Sequence, residues 1–299
     1  VSGYRQFLAR KARRVERQGH DVDLTDVHPS LHPWQQQIVR RAVRAGRFAI
    51  WADTGLGKTR MQVEWARLSG QRALIVAPLA VCHQTVAEAQ RVDVEATYVR
   101  SATDAEGRGI WVTNYEMVDH FDPASFDAVV LDEASILKAH DGKTRTKLIR
   151  HFGAVPRRLA CTATPAPNDS QELTNQAEFL GVATRPEMLA GYFIHDADGW
   201  RLKGHARGPM FRWMADWAVA ARRPSDLGYP DDGYVLPELR IVPHLIPTDD
   251  VRLDGELFAV PAAAAIKGVT GRAAVRKATV GQRVDYAVGL VKAEPADGV

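Results

Sequence analysis

This chain has little sulfur and no long greasy segment. Its 299 residues include two cysteines, Cys82 and Cys161, too few for a disulfide framework or a four-ligand zinc site. No apolar run approaches the roughly 18 residues of a membrane-spanning helix, and the Ala-rich stretch ending at Ile266 is cut by Pro261. The opening residues, VSGYRQFLARKARR, lack the apolar centre of a secretory leader. Internal repeats and low-complexity tracts are missing too. These absences exclude a disulfide-stapled secreted scaffold, a helical membrane protein and a solenoid, and a reducing, cytoplasmic setting is expected.

What is present is ordinary globular composition, 45% apolar and 25% charged, at a length that suggests two domains. The net charge of +3 is unevenly spread. Residues 1–47 carry 10 Lys/Arg against 4 Asp/Glu, and the remainder carries 29 against 32. A basic front suggests a polyanionic partner, although a solvated helix over Tyr4–Gln18 accounts for the same numbers.

Short apolar runs alternate with helical stretches, the pattern of an α/β domain with a parallel sheet covered by helices. Strands are predicted at Phe48–Ala52, Ala73–Ala77, Ala96–Val99, Gly109–Thr113, Ala128–Leu131 and Arg158–Cys161. The runs AIWA, LIVA and AVVL do not alternate with polar residues, as expected for strands buried on both faces. Helices are predicted over Gln36–Val43, Thr59–Leu68 and Arg272–Val291. Residues 186–246, rich in Trp, Gly, Pro and Asp, read as an irregular insertion or linker with a strand plausible only at Leu239–Ile246.

Ala52-Asp53-Thr54-Gly55-Leu56-Gly57-Lys58-Thr59 joins a predicted strand to a predicted helix. Glycines there let backbone N–H groups wrap a phosphate, and the helix presents its positive N-terminal end. Residues Asp53 to Thr59 are therefore candidate ATP-binding residues. Lys58 would reach the β- and γ-phosphates, and the Thr59 hydroxyl would ligate Mg2+. Ala52 stands where the usual pattern has its first glycine.

Downstream, AVVL ends in Asp132-Glu133-Ala134-Ser135. In a parallel sheet, ligands bind beyond the carboxyl ends of the strands, so this acidic pair shares an edge with the phosphate loop. Asp132 is suited to holding Mg2+ and Glu133 to polarising an attacking water. A third strand end, Cys161-Thr162-Ala163-Thr164-Pro165, offers Thr162 and Thr164 as hydroxyl partners that couple the acidic pair to the rest of the molecule. Upstream, Gln35 in His32-Pro33-Trp34-Gln35 has an amide able to read one adenine edge.

Together these segments resemble the first motor domain of a superfamily-two helicase or translocase of the DEAD/DEAH-box-like kind, most closely its Swi/Snf-type branch. The ordered set is LHPWQ, ADTGLGKT, VAPLAV, VTNYE, DEAS and TATP, spread over roughly residues 30–180. Gly199–Leu236 also resembles the region that follows in phage and bacterial helicase-like proteins. The resemblance implies a RecA-like fold, ATP and Mg2+ as ligands, and nucleic acid, DNA in the first instance, bound across two such domains. It implies that Pro78, Thr113 and Asn114 lie near the phosphate backbone of the bound strand. The organisation expected is a basic extension (1–28), a RecA-like ATP-binding domain (29–185), an insertion or linker (186–246) and the helical start of a second RecA-like domain (247–299).

One departure matters. Such motors carry a late Q-x-x-G-R-x-x-R motif that supplies arginine fingers, worth about 10³ to 10⁵ in rate in related phosphoryl-transfer enzymes. Here the nearest approximation is GVTGRAAVR, Gly268–Arg276, read as a solvated helix face. The second motor domain is thus expected to be missing, and this chain alone to hydrolyse ATP poorly. Rival readings are a nucleic-acid-binding module with a vestigial ATP site, a P-loop kinase or metabolic ATPase, and a metal-dependent hydrolase using His28 and His32, whose helical spacing Pro29 and Pro33 spoil.

Overall fold

A computed structural model describes residues 15–138, 142–196, 199–235, 241–248, 250–251, 258–261 and 268–293. The chain divides into two compact units, Val1–Leu236 and Pro237–Val299.

In the first unit the apolar runs become the centre of a sheet. Its strands are β1 (Arg47–Ala52), β2 (Arg72–Ala77), β3 (Ala96–Tyr98), β4 (Gly109–Asn114), β5 (Ala128–Asp132), β6 (Arg157–Cys161) and a last strand, Ala218–Ala221, labelled β9 in chain order. They lie in the order β3-β4-β2-β5-β6-β1-β9, and every pairing is parallel. Side chains alternate along each strand, so Phe48 and Ile50 of β1 enter one apolar cluster while Ala49 and Trp51 enter the other. Helices cover both faces, which is why these strands are apolar throughout. This is the RecA-like α/β architecture that the motif order implies.

On one face lie α1 (Pro33–Ala45), α2 (Lys58–Ser69) and α3 (Leu79–Gln90). α1 buries Trp34, Gln35, Ile38, Val39, Ala42 and Val43, a single stripe at helical spacing. Pro33 suits its first turn, and Gly46 at φ +72° ends it in the left-handed conformation. On the other face lie α4 (Lys143–His151), α5 (Leu173–Leu180), α6 (Arg185–Tyr192) and α7 (Arg207–Met214), which bury Leu148, Phe179, Met188 and Trp213. Trp51, Trp213 and Trp217 stack edge to face beneath β1, with centroids 5.7 and 5.3 Å apart.

The stretch 186–246 departs from its expected irregularity. It contributes a hairpin of β7 (Phe193–Asp196) and β8 (Gly199–Leu202), then α7, then β9. β9 is the four residues Ala-Val-Ala-Ala, too short and too weakly patterned to stand out among its Trp- and Arg-rich neighbours. The free edge of β1 supplies its pairing, Ala49 to Ala218 through Ala52 to Ala221. The strand expected at Leu239–Ile246 does not form over 241–246, and residues 239–240 lie outside the described residues. Of the helix expected over Tyr4–Gln18, only 15–18 are described, and they are not helical.

The second unit holds the short antiparallel pair β10 (Asp250–Val251) and β11 (Val260–Pro261), then α8 (Gly268–Ala278) and α9 (Val280–Ala293). The single helix expected over Arg272–Val291 is therefore two, parted at Thr279, whose hydroxyl donates to the Val275 carbonyl at 2.9 Å. Arg272 and Arg276 of the expected solvated face are exposed on α8. Among the described residues no helix is long and apolar enough to cross a membrane.

Candidate functional site

The strand order makes β5, β6 and β1 immediate neighbours. Their carboxyl ends carry the acidic pair, the threonine segment and the glycine loop, so parallel pairing gathers onto one edge three segments that are far apart in sequence.

The glycine loop turns tightly because Gly55 and Gly57 take φ of +85° and +70°. A Cβ on Gly57 would also stand 2.5 Å from Gln35 Nε2. Lys58 curls back over the loop, its Nζ donating to the carbonyls of Ala52 (2.8 Å) and Asp53 (3.1 Å). The Thr54 amide donates to the Asp53 carboxylate at 2.7 Å, and the Asp53 amide to the Ala221 carbonyl of β9 at 3.0 Å. Leu56 is buried and pins the loop to the core.

Gln35 is employed within the protein as well. It is 3% exposed; its Nε2 donates to the Leu56 carbonyl (3.1 Å) and its Oε1 accepts from the His32 amide (2.8 Å). The side chain expected to read adenine thus also braces the glycine loop against the start of α1. Only one N–H and one lone pair of the amide remain for any other partner.

Asp132 Oδ1 accepts from Gln62 Nε2 (2.7 Å) and from the Glu133 amide (3.0 Å). Burial holds its carboxyl above the ordinary range, against the pull of those two N–H groups; the Glu133 charge adds to the rise and Lys58 opposes it. Gln62 gives little notice in the sequence, where a polar residue in a helix reads as surface. Its one signal is position, one turn after Lys58 on the same side of α2. The hydroxyl of the half-buried Tyr115 donates to the Asp132 carbonyl at 2.6 Å.

Glu133 is one of two non-glycine residues with positive φ among those described, at +54°. That conformation costs an L-residue about 1–2 kcal/mol, the kind of strain that gathers at working sites. It aims the carboxylate at two hydroxyls, Ser135 Oγ (2.6 Å) and Thr162 Oγ1 (2.7 Å), which both donate to Oε1. Among the described residues Oε2 accepts no hydrogen bond. Thr162 is buried and accepts from the Thr164 amide at 3.0 Å, so the third strand end is wired to the second, while the Thr164 side chain is exposed. Thr59, next to Lys58, is half-buried and lines the adjoining cavity.

Beneath this edge, α5 holds the loops in place with buried amides. Gln176 accepts from Trp51 Nε1 (2.8 Å) and donates to the Pro165 carbonyl (2.9 Å), and Asn175 Nδ2 donates to Leu137 (2.8 Å) and Lys138 (3.1 Å).

Of the three residues expected near a nucleic-acid backbone, two are buried. Thr113 has no exposed surface and donates to the Val99 carbonyl at 2.8 Å; Asn114 is 4% exposed, accepts from Tyr98 (2.9 Å) and donates to Glu116. Their polar groups are engaged by Val99, Tyr98 and Glu116. Pro78 is half-buried where β2 passes into α3.

The glycine loop opens into a cavity of about 500 Å3, lined among others by His32, Gln35, Arg60, Gln84, Glu88 and Tyr234. No group of three or more His, Cys, Asp or Glu able to hold a metal by itself occurs among the described residues. Thr59 and Asp132 nevertheless offer the hard oxygen donors that Mg2+ takes alongside substrate phosphates.

Residues 28–167 match the family model described as "Type III restriction enzyme, res subunit". Among solved structures, the UvsW helicase from bacteriophage T4 is 15% identical, with 52% of this chain and 58% of that chain covered and a TM-score of 0.42. The Pyrococcus furiosus Hef helicase domain is also 15% identical, with 54% and 39% covered and a TM-score of 0.43. This chain thus spans from about two fifths to less than three fifths of the length of these structures. No curated protein matches the sequence.

Proposed function

We propose that residues 28–167, which match the model described as "Type III restriction enzyme, res subunit", are a first motor domain of the superfamily-two helicase type, and that this chain binds ATP–Mg2+ and couples its hydrolysis to movement on nucleic acid, DNA in the first instance. The observation that carries the reading is the Glu133 carboxylate, with Oε1 fixed by Ser135 and Thr162 and Oε2 left to accept a proton from water. Lys58, now held by loop carbonyls, would exchange them for phosphate oxygens. The loop amides and the N-terminus of α2 would bind the remaining phosphate charge. Thr59 and Asp132 fit Mg2+, which when bound neutralises charge on the β- and γ-phosphates. Thr162 and Thr164, through Glu133, would report on the phosphate.

The finer assignment to the Swi/Snf-type branch rests on the ordered set LHPWQ, ADTGLGKT, VAPLAV, VTNYE, DEAS and TATP. Pro78, at the same sheet edge, remains a candidate contact for the nucleic-acid backbone. We further propose that 29–185 and the segments after it serve one ATP-binding unit, that a second RecA-like domain completes the motor, and that it works in the cytoplasm.

The test is a DNA-stimulated ATPase assay with equilibrium ATP binding. Lys58→Ala should abolish both, and Glu133→Gln should abolish hydrolysis by roughly 10³-fold while keeping binding. Weak turnover by the parent chain agrees with the departure of Gly268–Arg276 from the arginine-finger motif. ATP binding indifferent to Lys58→Ala would refute the reading and leave a nucleic-acid-binding module.

A further inference from the structure

We infer that Tyr234 is a wall of the nucleotide-base subsite, so that the segment following β9 selects purine nucleotides by stacking. The inference rests on the reading above, because it takes the phosphates to lie on the glycine loop.

With phosphates on Gly55–Thr59, the rest of a nucleotide must occupy the cavity into which that loop opens. Two of its lining residues, His32 and Tyr234, are aromatic, and both pack against the ring of Trp34. The Tyr234 ring meets His32 at 5.8 Å and Trp34 at 5.9 Å between centroids, both edge to face, and His32 stacks on Trp34 at 6.3 Å. Trp34 is 3% exposed and immobilised in the core, so it sets the pose of the other two rings. Arg60, which also lines the cavity, is held by Glu88 at 2.9 Å and brings a guanidinium, a second planar surface suited to a base.

Tyr234 is prepared for this position by its own chain. Its amide donates to the Asp231 carbonyl at 2.9 Å, and the Asp231 carboxylate accepts from the Ser225 amide at 2.8 Å. The Tyr229 amide donates to the Pro224 carbonyl at 3.2 Å. These bonds fold residues 224–234 back from the end of β9, whose Ala221 carbonyl already anchors Asp53. The Gln35 amide is half committed to the loop, and ring area adds to whatever base edge its remaining N–H and lone pair can read. Stacking accepts any base but favours the larger ring system.

The experiment is calorimetric titration of the whole chain with Mg2+ complexes of ATP, GTP, CTP and inorganic tripolyphosphate. ATP and GTP are expected to bind more tightly than CTP. Tyr234→Ala should weaken ATP and GTP roughly 10-fold, equivalent to about 1.4 kcal/mol, narrow the gap to CTP, and leave tripolyphosphate unchanged. Tyr234→Phe should behave as the parent. The tripolyphosphate titration separates loss of the base wall from collapse of the loop. Equal weakening of tripolyphosphate and ATP, or ATP affinity untouched by Tyr234→Ala while Lys58→Ala removes it, would overturn this inference and spare the proposed function. Absence of any Lys58-dependent ATP binding would overturn both.

Discussion

The contact between Gly57 and Gln35 yields a prediction whose size follows from the geometry of the loop. Gly57→Ala imposes two separate costs. Its φ of +70° is left-handed, which costs an L-residue about 1–2 kcal/mol. Its new Cβ would lie 2.5 Å from Gln35 Nε2, so the buried amide must move and forfeit its bond to Leu56, worth about 1 kcal/mol. The single variant should lose roughly 2–3 kcal/mol. Gln35→Ala alone removes the bonds to Leu56 and to the His32 amide, again roughly 1–3 kcal/mol. In the double variant only the backbone strain is added, because the atoms that a Cβ at position 57 meets within 4 Å all belong to Gln35. The pair should therefore be less damaging than the sum of the singles by about 1 kcal/mol. Urea unfolding followed by tryptophan fluorescence measures this, and all seven tryptophans lie at or before Trp217, inside the first unit. Additivity of the two changes within about 0.5 kcal/mol would refute the steric coupling.

Two further outcomes follow from burial. The raised Asp132 pKa means that the native state holds this proton more tightly than the unfolded chain does. Ionising Asp132 therefore costs stability: the cost is absent below the unfolded carboxylate range near pH 4, grows as pH rises, and is complete above the native pKa. Asp132→Asn keeps an oxygen for Gln62 and the Glu133 amide, and should raise the Tm at pH 8 by roughly 2–4 °C, with the gain vanishing below about pH 4; a lower Tm at pH 8 would contradict the assigned cause. Both thiols should be inert. Burial pushes Cys82 up to about 11 and raises Cys161 well above the ordinary thiol value, so a disulfide-exchange reagent at pH 8 should label neither until denaturant is added. Rapid labelling of the native protein would count against that packing.

Strands buried on both faces announce themselves in the sequence because every position must be apolar, and β1, β2, β5 and β6 lie within a residue of where their runs predict. The glycine loop and acidic pair are legible for a related reason: chemistry restricts which residues can stand there. Gln62, Asn175 and Gln176 are not legible, since a polar residue in a helix points to water unless a partner distant in sequence meets it. The burial of Thr113 and Asn114 is hidden in the sequence for the same cause. Their hydrogen bonds run to Val99, Tyr98 and Glu116, and only the folded sheet sets those distances. β9 escapes notice because four small residues acquire strand character only from the neighbour they pair with.

That last strand bears on how the protein comes off the ribosome. Until Ala218–Ala221 has emerged, β1 is the rim of the sheet, with unpaired backbone groups able to recruit a strand from another chain. The glycine loop, complete in sequence at residue 59, keeps Asp53 untethered over the synthesis of some 160 further residues. A shortened chain cut where the motifs end would reproduce that nascent state permanently. Its expected failing is aggregation along β1 as much as loss of nucleotide affinity, so a practical boundary lies beyond β9.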